Sequence, residues 1–198
     1  VITGFRYTED TFSSDVTNFF GLNSYLIEDD LEKTTGRIAI EYDLDDDTMT
    51  YLSFTKGFKP GGSNLTFGYP VDDEQNFGAN PAPQLVFPIF ESETIDAYEI
   101  GLKTDLLNSR LRANISAFFY KYENLQFQST DPDIYRGGVA NIPESEMSGL
   151  EIEFLGIISN EFSFDLRLSF LETEITSEYE ALDNIRAELY FFGEELIR

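Results

Sequence analysis

Between positions 161 and 172 the apolar residues Phe162, Phe164, Leu166, Leu168 and Phe170 stand at every second position, with Ser163, Asp165, Arg167 and Ser169 between them. A helix would scatter those five side chains around its circumference, whereas a strand lines them along one face. The same period of two recurs across the chain. Leu111, Ala113, Ile115, Ala117 and Phe119 form one set, and Leu150, Ile152 and Phe154 another. Tyr98, Ile100 and Leu102, then Ile38, Ile40 and Tyr42, then Thr50, Leu52 and Phe54 follow it, as do Val1, Thr3, Phe5 and Tyr7. Seven strands are therefore expected. Their apolar phase carries no charge, while the alternate phase holds Arg6, Arg37, Glu41, Glu99, Lys103, Arg112, Glu151, Glu153, Asp165 and Arg167. A slip of one residue would exchange the two faces, so the register is strongly specified.

Alternation of this kind suits a soluble β-sandwich with its apolar face inward, or a membrane barrel with that face outward. No apolar run approaches the ~18–20 residues of a membrane helix, a test that strands pass unseen. Connection lengths separate the two readings. The links at 43–47, 105–109 and 158–161 are short and rich in Asp, Asn and Ser, whereas those at 9–35, 59–93 and 129–147, and everything after 177, are long. Short and long links alternate, as in a barrel with tight turns at one end and long loops at the other. With the short turns at the inner end, Tyr7, Phe54, Phe58, Tyr98, Phe119 and Phe170 are expected near the outer rim. Tyr42, Phe154 and Phe162 are expected near the inner one, giving two aromatic girdles. The fold expected is all-β, an antiparallel up-and-down transmembrane barrel of which these strands form part.

Composition narrows the function. Against 37 Asp and Glu stand 13 Lys and Arg, a net charge of −24. Such a surface is a poor partner for phosphate backbones, so no nucleic-acid partner is expected. The chain has no His and no Cys, which removes the usual general base, the usual metal ligands and any disulfide. Asp43, Asp45 and Asp47 match the start of a calcium loop, but Thr48 replaces its glycine and Phe54 its final glutamate, leaving a solvated acidic turn. Glu151 and Glu153 share a strand face, whereas glycosidase carboxylates oppose each other across a substrate; a polar barrel wall is the simpler reading. Lys103, Arg112 and Arg167 on that phase are the natural cross-strand partners. Neither a catalytic residue, a metal site nor a cofactor is expected.

Certain segments carry a family resemblance. Lys56-Gly57-Phe58-Lys59 with Gly61-Gly62 is one, and Tyr98-Glu99-Ile100-Gly101-Leu102-Lys103 is another. Tyr122, Asn124, Leu125 and Gln126 follow; then Asn141 leads to Ser148-Gly149-Leu150-Glu151-Ile152-Glu153. With Gly4-Phe5-Arg6-Tyr7-Thr8 at the start and 168–176 at the end, these motifs resemble the C-terminal barrel of TonB-dependent outer-membrane receptors. That resemblance implies a 22-stranded barrel with an N-terminal plug in the outer membrane of a Gram-negative bacterium. Its role would be active uptake of a scarce nutrient such as a ferric siderophore. Residues 1–198 are then expected to be a fragment of the barrel domain, without plug or coupling box, and Ser63 stands where an aromatic residue often follows the paired glycines. The implied partners are outer-membrane lipid and lipopolysaccharide, the TonB complex through the N-terminal part, and a small-molecule ligand. Ligand recognition is expected on the long links, from Lys59, Tyr69, Tyr135 and Arg136 by stacking and charge, with Phe58 and Asn141 lining the mouth. The competing functions are a soluble β-sandwich binding module and a passive porin. The first requires the apolar phase to pack inward.

Overall fold

The computed structural model describes residues 1–17, 24–64, 89–131 and 136–178, with side chains described for 1–14, 28–64, 89–129 and 138–178. Its strands are β1 (Ile2–Thr17), β2 (Ser24–Asp43), β3 (Thr48–Lys59), β4 (Gly62–Ser63), β5 (Ile89–Phe90), β6 (Glu93–Leu106), β7 (Leu111–Asp131), β8 (Arg136–Ser159) and β9 (Phe162–Ile175). Seven of them form one antiparallel sheet in the order β1-β2-β3-β6-β7-β8-β9, and β4 pairs with β5 as a separate two-residue ladder. Among the described residues the sheet is open, with β1 and β9 at its edges.

The register turns the sequence alternation into continuous rungs, because directly paired residues share a face. One rung reads Ile38, Phe54, Tyr98, Phe119, Ser148, Glu172. The next reads Ile40, Leu52, Ile100, Ala117, Leu150, Phe170, and the third Tyr42, Thr50, Leu102, Ile115, Ile152, Leu168. Below them lie Thr48, Thr104, Ala113, Phe154 and Leu166, and then Leu106, Leu111, Gly156 and Phe164. Every rung joins the apolar phase of one strand to that of its neighbours. This face is not packed inward: Leu52, Ile100 and Phe170 are each more than half exposed. An inward-packed sandwich would bury these residues, so the soluble alternative is not the observed arrangement.

Charge enters the apolar phase at Glu172, on the rung of Phe54, Tyr98 and Phe119, and fills the rung above it. There Lys56, Asp96, Lys121, Glu146 and Glu174 stand side by side, and Lys56 Nζ lies 2.9 Å from Asp96 Oδ1. Phe54, Tyr98 and Phe119 form the aromatic edge immediately beneath, with ring centroids 5.0 and 6.4 Å apart. The three tight turns fall successively lower across the sheet, after the Thr48, Leu106 and Phe162 positions, as strand tilt and stagger in a barrel require. Tyr42 and Phe162 thus both lie beside turns, at the inner rim, although they occupy different rungs.

The long links differ from the sequence expectation. Strands β1 and β2 stay paired out to Thr17 and Ser24, and β7 and β8 out to Asp131 and Arg136. Most of 9–35 and 129–147 is therefore ladder rather than loop. Above the charged rung both faces meet polar surroundings, so alternating hydropathy no longer marks the strand; the backbone pairing persists without it. Ala140 and Ile142 are buried there, giving the projecting β7–β8 hairpin apolar contacts of its own.

Candidate functional site

The face opposite the apolar rungs is polar and closely bonded. Its central rungs are Glu41, Tyr51, Gly101, Ser116, Glu151, Ser169 and Asp43, Met49, Lys103, Asn114, Glu153, Arg167. Glu153 accepts from Asn114 Nδ2 at 2.7 Å and pairs with Arg167 Nε at 3.0 Å; Arg167 also reaches Asp165 at 2.9 Å. Arg112 grips Asp105 through two parallel bonds of 2.8 and 2.9 Å. Lys103 Nζ sits 5.5 Å from the centre of the Tyr51 ring, whose hydroxyl donates to Glu99. The anticipated cross-strand partnership of Lys103, Arg112 and Arg167 with the acidic phase is present for both arginines. These exposed, solvent-screened pairs contribute little to stability, so they shape a polar wall more than they hold the sheet together. Between Tyr51, Lys103, Asn114, Glu151, Glu153 and Arg167 lies a depression of about 340 Å³.

Glycines on this wall have a role that the sequence did not disclose. A Cβ on Gly101 would collide with the Tyr51 ring, and one on Gly149 would meet Phe118; both are direct register partners. On the apolar face Phe164 covers Gly156 and Phe5 covers Gly36 in the same way. An aromatic ring lying over its cross-strand glycine restores the apolar contact that a bare backbone lacks.

At the outer end, a clasp fastens the link between β3 and β6 to the β7–β8 hairpin. Asn141 accepts from the Glu91 backbone N–H at 2.8 Å and donates to the carbonyls of Glu91 and Asn124 at 3.0 and 2.8 Å. Asn124 lies opposite Pro143, which has no N–H to offer the ladder, and adopts a left-handed φ of 55°. Asn141 satisfies the carbonyl that proline cannot. Asn124 Nδ2 returns to the Glu91 carboxylate at 2.7 Å, and Gln126 donates to the Pro60 carbonyl at 2.7 Å. Asn64 bonds the Val139 backbone in both directions, at 2.7 and 2.8 Å. Nearby, burial together with the Glu93 carboxylate holds the Tyr122 hydroxyl above its ordinary pKa.

Of the six residues singled out from the sequence, three have described side chains. Asn141 is in the clasp, its amide committed to backbone partners. Lys59 pairs with Glu93 on the polar phase and is exposed, one residue before the clasped Pro60. Phe58 pairs with Thr94 on the apolar phase, above the charged rung, and is half-buried. Arg136 opens β8 opposite Asp131, but its side chain lies outside the described residues, as do Tyr69 and Tyr135. Among the described residues no group of three or more acidic, His or Cys side chains is placed to hold a metal ion.

An open antiparallel sheet with exposed apolar rungs on one face and a charged, hydrogen-bonded wall on the other defines part of a transmembrane β-barrel. The chain belongs to the TonB dependent receptor-like β-barrel family, whose model matches residues 1–190. It is 26% identical over 162 residues to a probable TonB-dependent siderophore receptor, PiuA, of Acinetobacter baumannii, covering 80% of this chain and 20% of that protein. It is 24% identical over 144 residues to the metal-pseudopaline receptor CntO of Pseudomonas aeruginosa, covering 73% of this chain and 17% of the other. Among solved structures, the ferric yersiniabactin uptake receptor FyuA of Yersinia pestis superposes with a TM-score of 0.64 at 18% identity, covering 88% of this chain and 24% of that one. The siderophore receptor PiuA of A. baumannii does so with a TM-score of 0.61 at 21% identity, covering 88% and 23%. The chain thus spans about a fifth of the length of the relatives it matches.

Proposed function

We propose that this chain is the barrel wall of an outer-membrane receptor for active uptake of a scarce nutrient, and that the nutrient is a metal–siderophore complex. The observation that carries the membrane part is the set of exposed apolar rungs, bounded above by an aromatic edge and a charged rung. The metal–siderophore part is supported by membership of the TonB-dependent family and by what the matched relatives are named for, siderophores and metal-pseudopaline. In the intact receptor this segment of the barrel domain is joined to an N-terminal plug and draws energy from the TonB complex. Its outer face meets lipid and, at the outer rim, lipopolysaccharide. The ligand is met at the outer mouth by Lys59, Tyr69, Tyr135 and Arg136, beside Phe58. Asn141 fixes the mouth that they line.

Uptake of radioactive iron tests this reading in cells carrying the intact receptor, supplied with iron loaded on a panel of siderophores. Uptake of one complex is expected to depend on both the receptor and TonB. Alanine at Tyr135 and Arg136 together is expected to weaken binding of that complex about tenfold, equivalent to ~1.4 kcal/mol. Uptake that persists without TonB would instead establish a passive porin. Binding unchanged in the double variant would remove those two residues from the site.

A further inference from the structure

The inner rim is built differently from the outer one. Where the outer edge is aromatic and then charged, the turns at the inner end carry exposed apolar side chains among their polar residues. Leu44 in the β2–β3 turn, Leu107 in the β6–β7 turn, and Ile158 and Phe162 flanking the β8–β9 turn are all more than half exposed, Leu107 at 70%. Leu107, Asn108 and Ser109 all hold left-handed φ values, of 55°, 54° and 60°. Leucine gains nothing locally from that conformation, so an exposed leucine there needs another reason. The three turns also form one rigid edge. The Asp105 N–H donates to the Asp47 carbonyl at 2.9 Å, the Ile157 N–H to the Arg110 carbonyl at 2.8 Å, and the Arg110 guanidinium to the carbonyls of Ile157 and Ile158.

Charge at this end shares the turns with these apolar residues, as in Asp45-Asp46-Asp47 beside Leu44. Asp43, Asp45, Asp47 and Asp105 gather with Lys103 and Arg112 around a depression of about 600 Å³. Those six include Lys103 and Arg112 of the polar phase, so the depression opens on the barrel interior. The inner rim therefore has acidic groups toward the interior and exposed apolar side chains among the polar residues of its turns.

The height of the apolar band says what covers the tips. Within β6 it runs from Tyr98 to Leu106, and within β9 from Phe170 to Phe162. Eight steps of ~3.3 Å, at a strand tilt of ~40°, give a band about 20 Å tall. Barrels of this class face lipid over ~25 Å. On these two strands charge closes the band above, at Asp96 and Glu172, and the turn tips continue the apolar surface downward. Leu44 follows Tyr42 by two residues at the end of β2, and Ile158 is the exposed extra residue of the bulge between Ile157 and Ser159 that ends β8.

We propose that Leu44, Leu107 and Ile158 seat the inner rim in the acyl–headgroup boundary of the membrane's periplasmic leaflet. The turns are then a phospholipid-binding collar rather than free periplasmic loops. This rests on the membrane reading given above.

Spin labelling tests it in the intact receptor, reconstituted into vesicles of phosphatidylethanolamine and phosphatidylglycerol; this chain has no cysteine to interfere. Single labels are placed at L107C and I158C, with I100C in the middle of the band and D46C in the acidic turn as references. Folding is verified for each by heat-modifiable gel mobility, and the Ile158 label stands alone if the Leu107 variant does not fold. Collision with oxygen and with a neutral nickel chelate is then measured. At 107 and 158 the oxygen-to-nickel ratio is expected to fall between the two references and at least threefold above that at 46. A ratio equal to that at 46 overturns the collar, and so does shielding from both agents, which would mark a protein-covered surface. Should the label at 100 itself prove water-accessible, the membrane reading falls first and the collar with it.

Discussion

Four aromatic residues in this sheet lie directly across from glycine, and Tyr51 over Gly101 carries the most consequences. The ring occupies the space a side chain at 101 would fill, supports Lys103 on its face and holds Glu99 through its hydroxyl. Gly101→Ala is therefore expected to displace the ring and break both attachments, costing about 1–3 kcal/mol, in the range of overpacking. Urea unfolding of the intact receptor in phospholipid vesicles measures this. In a Tyr51→Ala background the same glycine substitution is expected to cost well under half as much, because the obstacle is gone. Equal costs in the two backgrounds would refute the pairing. The sequence shows both residues but not that they touch: Gly101 and Tyr51 meet across a link of more than thirty residues, and only the register aligns them.

At the scale of the element, what the sequence made legible depended on which surroundings a strand has two of. Where one face meets lipid and the other the polar interior, as in 162–170 or 111–119, strict alternation marks the strand and fixes its register. Where both faces are polar, as from Glu9 to Thr17 and from Ser24 to Thr34, the same ladder leaves no period in hydropathy, and those stretches read as loop. Asn141 was expected to line the mouth, and its clasp was not legible, since its partners come from Glu91 and Asn124 and its purpose from Pro143. Asn141→Ala removes three hydrogen bonds and leaves the Asn124 carbonyl and Glu91 N–H to find water. Net losses near 0.5–1.5 kcal/mol per bond predict local opening made easier by ~1.5–4.5 kcal/mol. Hydrogen exchange at the Glu91 amide is expected to accelerate at least tenfold, with β6 and β9 unaffected. Asn141→Asp keeps the acceptor for that amide and loses the two donors, so its Glu91 protection should be intermediate. Wild-type exchange in the alanine variant would show that the clasp does not hold.

Across the whole molecule, one arrangement accounts for the composition and for the fold together. Over five successive rungs of one face, charge among the described residues enters only at Glu172, on β9 at the outer end; elsewhere it lies on the other face, in the turns and above the outer rim. A sheet with such faces is stable only with a nonpolar phase against one of them, and its energetics should be asymmetric in a way no soluble sheet would match. Ile152 lies in the middle of the five rungs, and Ser169 on the polar face one strand away. Arginine at 152 would face hydrocarbon near the midplane, at a cost of ~2–4 kcal/mol, whereas arginine at 169 would join a wall already carrying Glu151 and Glu153. Moving the same substitution up to Phe119, at the aromatic edge, should lower its cost to ~0–1 kcal/mol from charge placement, apart from the loss of the ring. Urea titration of the three variants in vesicles, each compared with alanine at the same site, separates depth from side-chain loss. A cost at 152 no larger than at 169 would mean that the apolar rungs face something other than lipid.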